Sequence, residues 1–78
     1  MSQADFIKAL IESWNAPFVA RSQTKKFTGG SITGRTVANI ESKDPDKKVP
    51  GRILLGRNIA YPTKEYATWI SEHLLKRA

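Results

Sequence analysis

The chain has no cysteine and one histidine, His73. That removes disulfides, thiolate nucleophiles and cysteine-based zinc sites, and it leaves the imidazole without a second His or Cys to share a metal. No stretch approaches the roughly 20 apolar residues of a membrane span. The N-terminus, Met-Ser-Gln-Ala-Asp-Phe, lacks the basic segment and apolar run of a secretory signal. A cytoplasmic protein with no membrane association is therefore expected. Serine and threonine are plentiful, but a nucleophile needs a positioned base, and His73 falls late in a packing helix outside any elbow or triad pattern. Asp44 and Asp46 lie in a lysine-rich loop, where solvation explains them. No enzymatic activity, cofactor or metal is expected.

Acidic residues are the scarcer charge. Seven Asp and Glu stand against thirteen Lys and Arg, for a formal net charge of +6. The excess is concentrated: Arg21, Lys25, Lys26, Arg35, Lys43, Lys47, Lys48, Arg52 and Arg57 share the middle of the chain with only Glu41, Asp44 and Asp46, and the two flanks together are neutral. A basic middle in a small domain is the electrostatic footprint of a polyanion binder. At 78 residues, 40% of them hydrophobic, the chain reads as a single domain with a small core, since chains of this size bury only about 60% of their unfolded surface.

Apolar side chains at Phe6, Ile7, Leu10, Ile11 and Trp14 follow helical spacing and predict a helix over residues 3–14, capped by Ser2 and ended before Pro17. A short helix over 23–27 with Ser22 as its cap is stopped by Gly29-Gly30. Thr33 then caps a helix over 34–43, with Ile32 and Val37 as a hydrophobic staple. Residues 44–51 read as a polar loop. Two strand-like runs, 52–55 and 58–61, flank Gly56-Arg57, a two-residue turn with glycine first as type II′ prefers. After Pro62, Thr63 caps a last helix over 64–75, whose stripe is Tyr66, Trp69, Ile70, His73 and Leu74, with Lys76 and Arg77 at its negative end. Trp14, Phe27, Tyr66, Trp69 and His73 are read as core or packing residues, and Tyr61 as packing the hairpin on the last helix.

The stretch GGSITGRT, 29–36, has the glycine spacing of a phosphate-binding loop. It lacks the context: no buried strand precedes it, and arginine stands where a lysine is needed. The glycines are better explained as the turn of a helix-turn-helix. With the hairpin and closing helix, the fold class expected is α+β, a small winged helix-turn-helix. The segments ITGRTVANIESK and ILLGRNIAYPTKEYATWISEHL resemble the recognition helix, wing and closing helix of the phage excisionases and related AlpA-type prophage regulators, small MerR-like DNA-binding domains. The resemblance spans about residues 18–75. It implies a helix-turn-helix over 18–43, a loop and wing over 44–62, and a closing helix over 63–78. Residues 1–17 are an added helix that completes the core or binds a partner.

On these grounds the expected partner is double-stranded DNA. The outward side of the second helix carries Thr33, Arg35, Thr36, Asn39, Ser42 and Lys43. Arg35 pairs well with guanine and Asn39 with adenine. Arg57, Asn58 and Arg52 form the wing's contacts, where arginine suits a narrow minor groove. Arg21, Lys25, Lys26, Lys47 and Lys48 contact phosphates. The resemblance implies a small transcriptional regulator or an excisionase-like architectural factor, binding with itself or with a recombinase or transcription partner. The alternative is a protein-interaction module that docks through the first helix or the basic face. RNA binding is disfavoured by the shortage of exposed aromatics.

Overall fold

The Ser2 hydroxyl accepts the Asp5 amide at 3.1 Å and starts α1, Gln3–Ser13. The structure, a computed structural model, describes residues 2–76. Leu10 is the buried member of the α1 stripe, with Phe6, Ile7, Ile11 and Trp14 packed around it. α1 lies on the last helix, tied there by Gln3 Nε2 donating to Ser71 Oγ at 3.0 Å.

A strand the sequence reading did not anticipate follows: β1, Phe18–Ala20, with Val19 fully buried. Three residues between Pro17 and Arg21 are too few to show alternation. The chain then tightens into a 3-10 turn, Arg21–Gln23, before α2, Thr24–Phe27. The expected Ser22 cap is not formed. Ser22 lies inside the 3-10 turn, and the Gln23 side chain accepts the Ala20 amide instead, at 3.1 Å.

Gly29, at φ +66°, ends α2. Gly30 N–H reaches the Lys25 carbonyl and Gly29 N–H the Lys26 carbonyl, the nested pair of a Schellman motif. Thr28 Oγ1 accepts the Ile32 amide and braces the turn. α3 then runs Gly34–Lys43, the bounds expected. Thr33 occupies the N-cap position, but its side chain makes no capping bond; the Thr36 amide meets the Thr33 carbonyl instead. Gly34 has a packing role. An added Cβ there would overlap the Arg21 carbonyl oxygen and lie 2.8 Å from Arg21 Cγ. α3 therefore starts against the 3-10 turn at a distance only glycine permits.

The expected loop is more ordered than its composition predicts. A 3-10 turn, Pro45–Lys47, is capped by Asp44, whose Oδ1 accepts the Asp46 amide. Val49 is buried, and the Trp69 indole donates to the Lys47 carbonyl at 2.8 Å. β2, Ile53–Leu55, and β3, Asn58–Pro62, form the predicted hairpin with Leu55 opposite Asn58. Gly56 is at φ +64° and, among the described residues, no non-glycine residue has positive φ, so only the first central residue of the turn needs glycine. β3 is central, with β1 and β2 antiparallel on either side.

α4, Thr63–His73, starts one residue earlier than expected and stops two sooner. Thr63 does not cap it. Its hydroxyl donates to the Ala16 carbonyl at 2.7 Å and its amide to Pro17, fastening α4 to the linker after α1. Arg77, expected at the helix end, lies outside the described residues. The result is a small α+β fold of four helices and a three-stranded antiparallel sheet. Its core is a chain of aromatics: Trp14 edge-on to Phe27, Phe27 stacked on Tyr66, Tyr66 on Tyr61 at 4.3 Å, with Trp69 beside it. His73 is half-buried, 4.9 Å from the Trp69 ring.

Among the described residues Glu41 is the one buried charge, 2% exposed. It lies one turn beyond Val37, on the inner side of α3. Oε1 accepts from Arg21 Nη2 at 2.7 Å and from the Tyr61 hydroxyl at 2.8 Å; Oε2 faces Arg52 Nη1 at 3.1 Å and the Val49 amide at 3.1 Å. Burial alone would raise its pKa, but the hydrogen bonds from Tyr61, Val49, Arg21 and Arg52 together hold it below the ordinary value. The Tyr61 hydroxyl, buried and adjacent to this carboxylate, is pushed up to about 12.

Two outcomes follow for stability. Gly34→Ala should cost about 1–3 kcal/mol by overpacking, read as a lower urea midpoint. A Gly34→Ala variant as stable as the parent would mean that α3 and the Arg21 turn are not in close contact. A carboxylate with a lowered folded-state pKa contributes stability that is complete above its unfolded value and lost as pH falls through the folded one. Glu41→Gln should therefore cost about 1–3 kcal/mol at neutral pH, read as a lower urea midpoint, and flatten the midpoint's fall below pH of about 4. An unchanged pH profile in Glu41→Gln would assign the acid sensitivity to other carboxylates.

Candidate nucleic-acid interface

α3 turns 100° per residue, so Val37, Ile40 and Glu41 on its inner side leave Arg35, Ala38, Asn39, Ser42 and Lys43 on its outer arc. Arg35, Asn39, Ser42 and Lys43 are exposed, and Thr36 at the edge of the arc is half-buried. The hairpin rises beside this arc, and a trough opens between them. Arg21 and Ser22 from the 3-10 turn, Gly34, Arg35 and Ala38 from α3, and Arg57, Asn58 and Ile59 from the hairpin form its walls. A second hollow continues it past Arg21 and Ala38 to Ser42, Lys48 and Arg52.

Of the fourteen residues predicted to touch DNA, seven line these two adjoining halves of the trough: Arg21, Arg35, Ser42, Lys48, Arg52, Arg57 and Asn58. The other seven do not line it. Asn39 and Lys43 stand on the same outer arc of α3, Thr33 and Thr36 flank its first turn, Lys25 and Lys26 are exposed on α2, and Lys47 is exposed at the end of the second 3-10 turn. Lys25, Lys26, Arg35, Lys43, Lys48 and Arg57 have no ion-pair partner among the described residues.

Arg21 and Arg52 have a role the sequence reading did not give them. Each guanidinium is tethered on one side to Glu41, leaving their side chains 30% and 31% exposed at the trough. Arg21 Nε also donates to the Tyr61 hydroxyl at 2.9 Å, and burial, which would lower its pKa, is outweighed by those two partners, so the cation is reinforced. Both arginines thus present part of a charge held in fixed orientation, unlike the untethered Arg35 and Arg57.

Of the acidic residues interspersed with this basic region, Glu41 is buried and paired, Asp44 is occupied by the Asp46 amide and by Lys47 at 3.9 Å, and Asp46 is exposed in the loop. Ser22, Ala38 and Ile59 also line the trough without having been singled out as DNA contacts. Ala38 was recoverable in principle, being three residues from Arg35 on the same arc. It lines both halves of the trough.

Among the described residues no group of three or more His, Cys, Asp and Glu side chains could hold a metal ion, and no helix is long and apolar enough to cross a membrane. No protein-family model, curated protein or solved structure matches the chain.

Proposed function

We propose that this chain is a sequence-specific double-stranded DNA-binding protein of the winged helix-turn-helix type, acting as a small transcriptional regulator or an excisionase-like architectural factor. α2, the Gly29-Gly30 turn and α3 are its helix-turn-helix, the β2–β3 hairpin its wing and α4 its closing helix. The observation that carries this reading is the convergence of Arg35 on α3, Arg57 and Asn58 at the hairpin and Arg21 on the 3-10 turn upon one trough. In this reading α3 lies in the major groove, which is about 12 Å wide and admits a helix. Arg35 and Asn39, one turn apart on the outer arc, read base edges. The hairpin crosses the phosphate backbone to the neighbouring minor groove, and Lys25, Lys26 and Lys48 attract and position the duplex without reading it.

The test is selection from a random duplex library at about physiological salt, where nonspecific attraction is weakened. An enriched motif supports the reading, and binding at low salt alone with no enrichment rejects it. On the selected motif, Arg35→Ala should cost about 1–3 kcal/mol and relax preference at one position, whereas Lys48→Ala should weaken all sequences alike and lower the salt slope by about 1. Equal losses on every sequence from both variants would remove Arg35 from base reading.

A further inference from the structure

The hairpin ends in side chains for which the fold itself has no use. Leu54 is 65% exposed and Leu55 54%, the two most exposed large apolar residues of the described chain. They are the last two residues of β2, the outer strand, directly before the Gly56-Arg57 turn. Leu54 sits opposite Ile59 and Leu55 opposite Asn58, so the pair projects to both faces of the hairpin tip. Arg52 and Arg57 bracket them, and no acidic residue occurs from Lys47 to Lys64.

An apolar tip inside a cationic frame fits a partner that is apolar within and anionic at its walls. A base step seen from the minor groove of duplex DNA is such a partner: stacked rings between two rows of phosphates. A second copy of this chain fits less well. Antiparallel pairing of two β2 edges would bring Arg52 and Arg57 of each copy against those of the other, and like charges side by side oppose association. The tip also continues the trough, through Arg57 and Asn58.

We propose that the hairpin tip is a minor-groove wedge. Leu54, the more exposed of the two, enters at one base step, unstacks it and kinks the duplex, while Leu55 on the opposite face of the hairpin packs along the groove and Arg57 holds the phosphate walls. The inference rests on the DNA-binding reading and adds to it a mode of action: the protein deforms its site, and flexible TA or CA/TG steps under the tip are selected by the cost of deformation.

The test uses the full chain on its selected duplex, end-labelled for energy transfer and carrying 2-aminopurine at successive steps. The wild type should bend the duplex by about 20–90° and raise 2-aminopurine emission at one step. Leu54→Ser with Leu55→Ser should keep the bases read by α3 but lose the preference for a flexible step under the tip, the bend, and about tenfold or more in affinity. Leu54→Met with Leu55→Met, apolar and of similar bulk, should restore both. Specific binding by the wild type without bending or unstacking would overturn the wedge and leave the DNA reading intact, as would a Ser variant that bends like the parent. A DNA-free dimer of the wild type that the Ser variant dissolves would assign the leucines to self-association and also overturn it. Absence of any duplex binding by all three proteins would remove the DNA reading itself.

Discussion

A single carboxylate in a small basic protein decides how its parts meet. Glu41 takes hydrogen bonds or ion pairs from four groups: Arg21 before α2, Val49 in the loop, Arg52 at the foot of the hairpin and Tyr61 on the central strand. An ionised group in a protein interior is tolerated only when its lone pairs are filled, and each partner here fills one. Buried ion pairs are weak contributors to net stability, since desolvation offsets most of the attraction. What such a group does supply is selectivity among arrangements, because any packing that misplaces one of the four donors leaves charge or amide unsatisfied in the core. An apolar residue at 41 could pack beside Val37, but it would not distinguish one placement of the hairpin from another.

The same network shapes the outer surface. Arg21 and Arg52 reach the trough from opposite ends of a shared carboxylate, so the spacing of their exposed edges is set from inside the protein. Gly34 fixes the remaining dimension, since α3 can approach no closer than the Arg21 carbonyl and would be held farther off by any side chain. The orientation of α3 relative to the hairpin is therefore set by one hydrogen-bonded charge and one missing methyl group, beneath a rim whose cations Arg35 and Arg57 are untethered. A braced frame with untethered cationic ends suits the proposed polyanion, whose phosphates sit at regular spacing.

Much of this was legible in the sequence, and the residues that were not share a physical reason. α3 was found at its true bounds because several local signals agree there: a cap position, an apolar stripe and a proline beyond the end. The Gly29-Gly30 stop and the Gly56-Arg57 turn were legible because both require positive φ. β1 escaped because a three-residue strand carries no period of its own; it exists through Val19 packing opposite Tyr61. Glu41 was counted only toward the net charge of the middle of the chain, although its phase, four residues after Val37, places it on the apolar side of α3. Its donors lie 20 residues before and 8 to 20 after it, so no local window shows that they converge. Thr33, Ser22 and Thr63 were assigned caps from residue type alone, and each hydroxyl was free to prefer a tertiary partner or none.

The exposed residues follow from the same economy of a small core. With Tyr61, Tyr66, Phe27 and Trp69 filling the interior, α4 packs on β1 and β3, and burial along β3 falls from Tyr61 and Ala60 to the half-buried Ile59 and the exposed Asn58. Beyond that point the hairpin extends past its support, so whatever stands at its end faces water or a ligand. Polar side chains at positions 54 and 55 would leave the β2–β3 pairing intact, because the register is set by the turn and by Ala60 and Tyr61 deeper in the sheet. Two leucines there add nothing to the fold and carry a solubility cost at an unpaired edge. Leucine side chains between arginines at the end of a braced hairpin are thus best accounted for by something outside the chain that is apolar at its centre and negative around it.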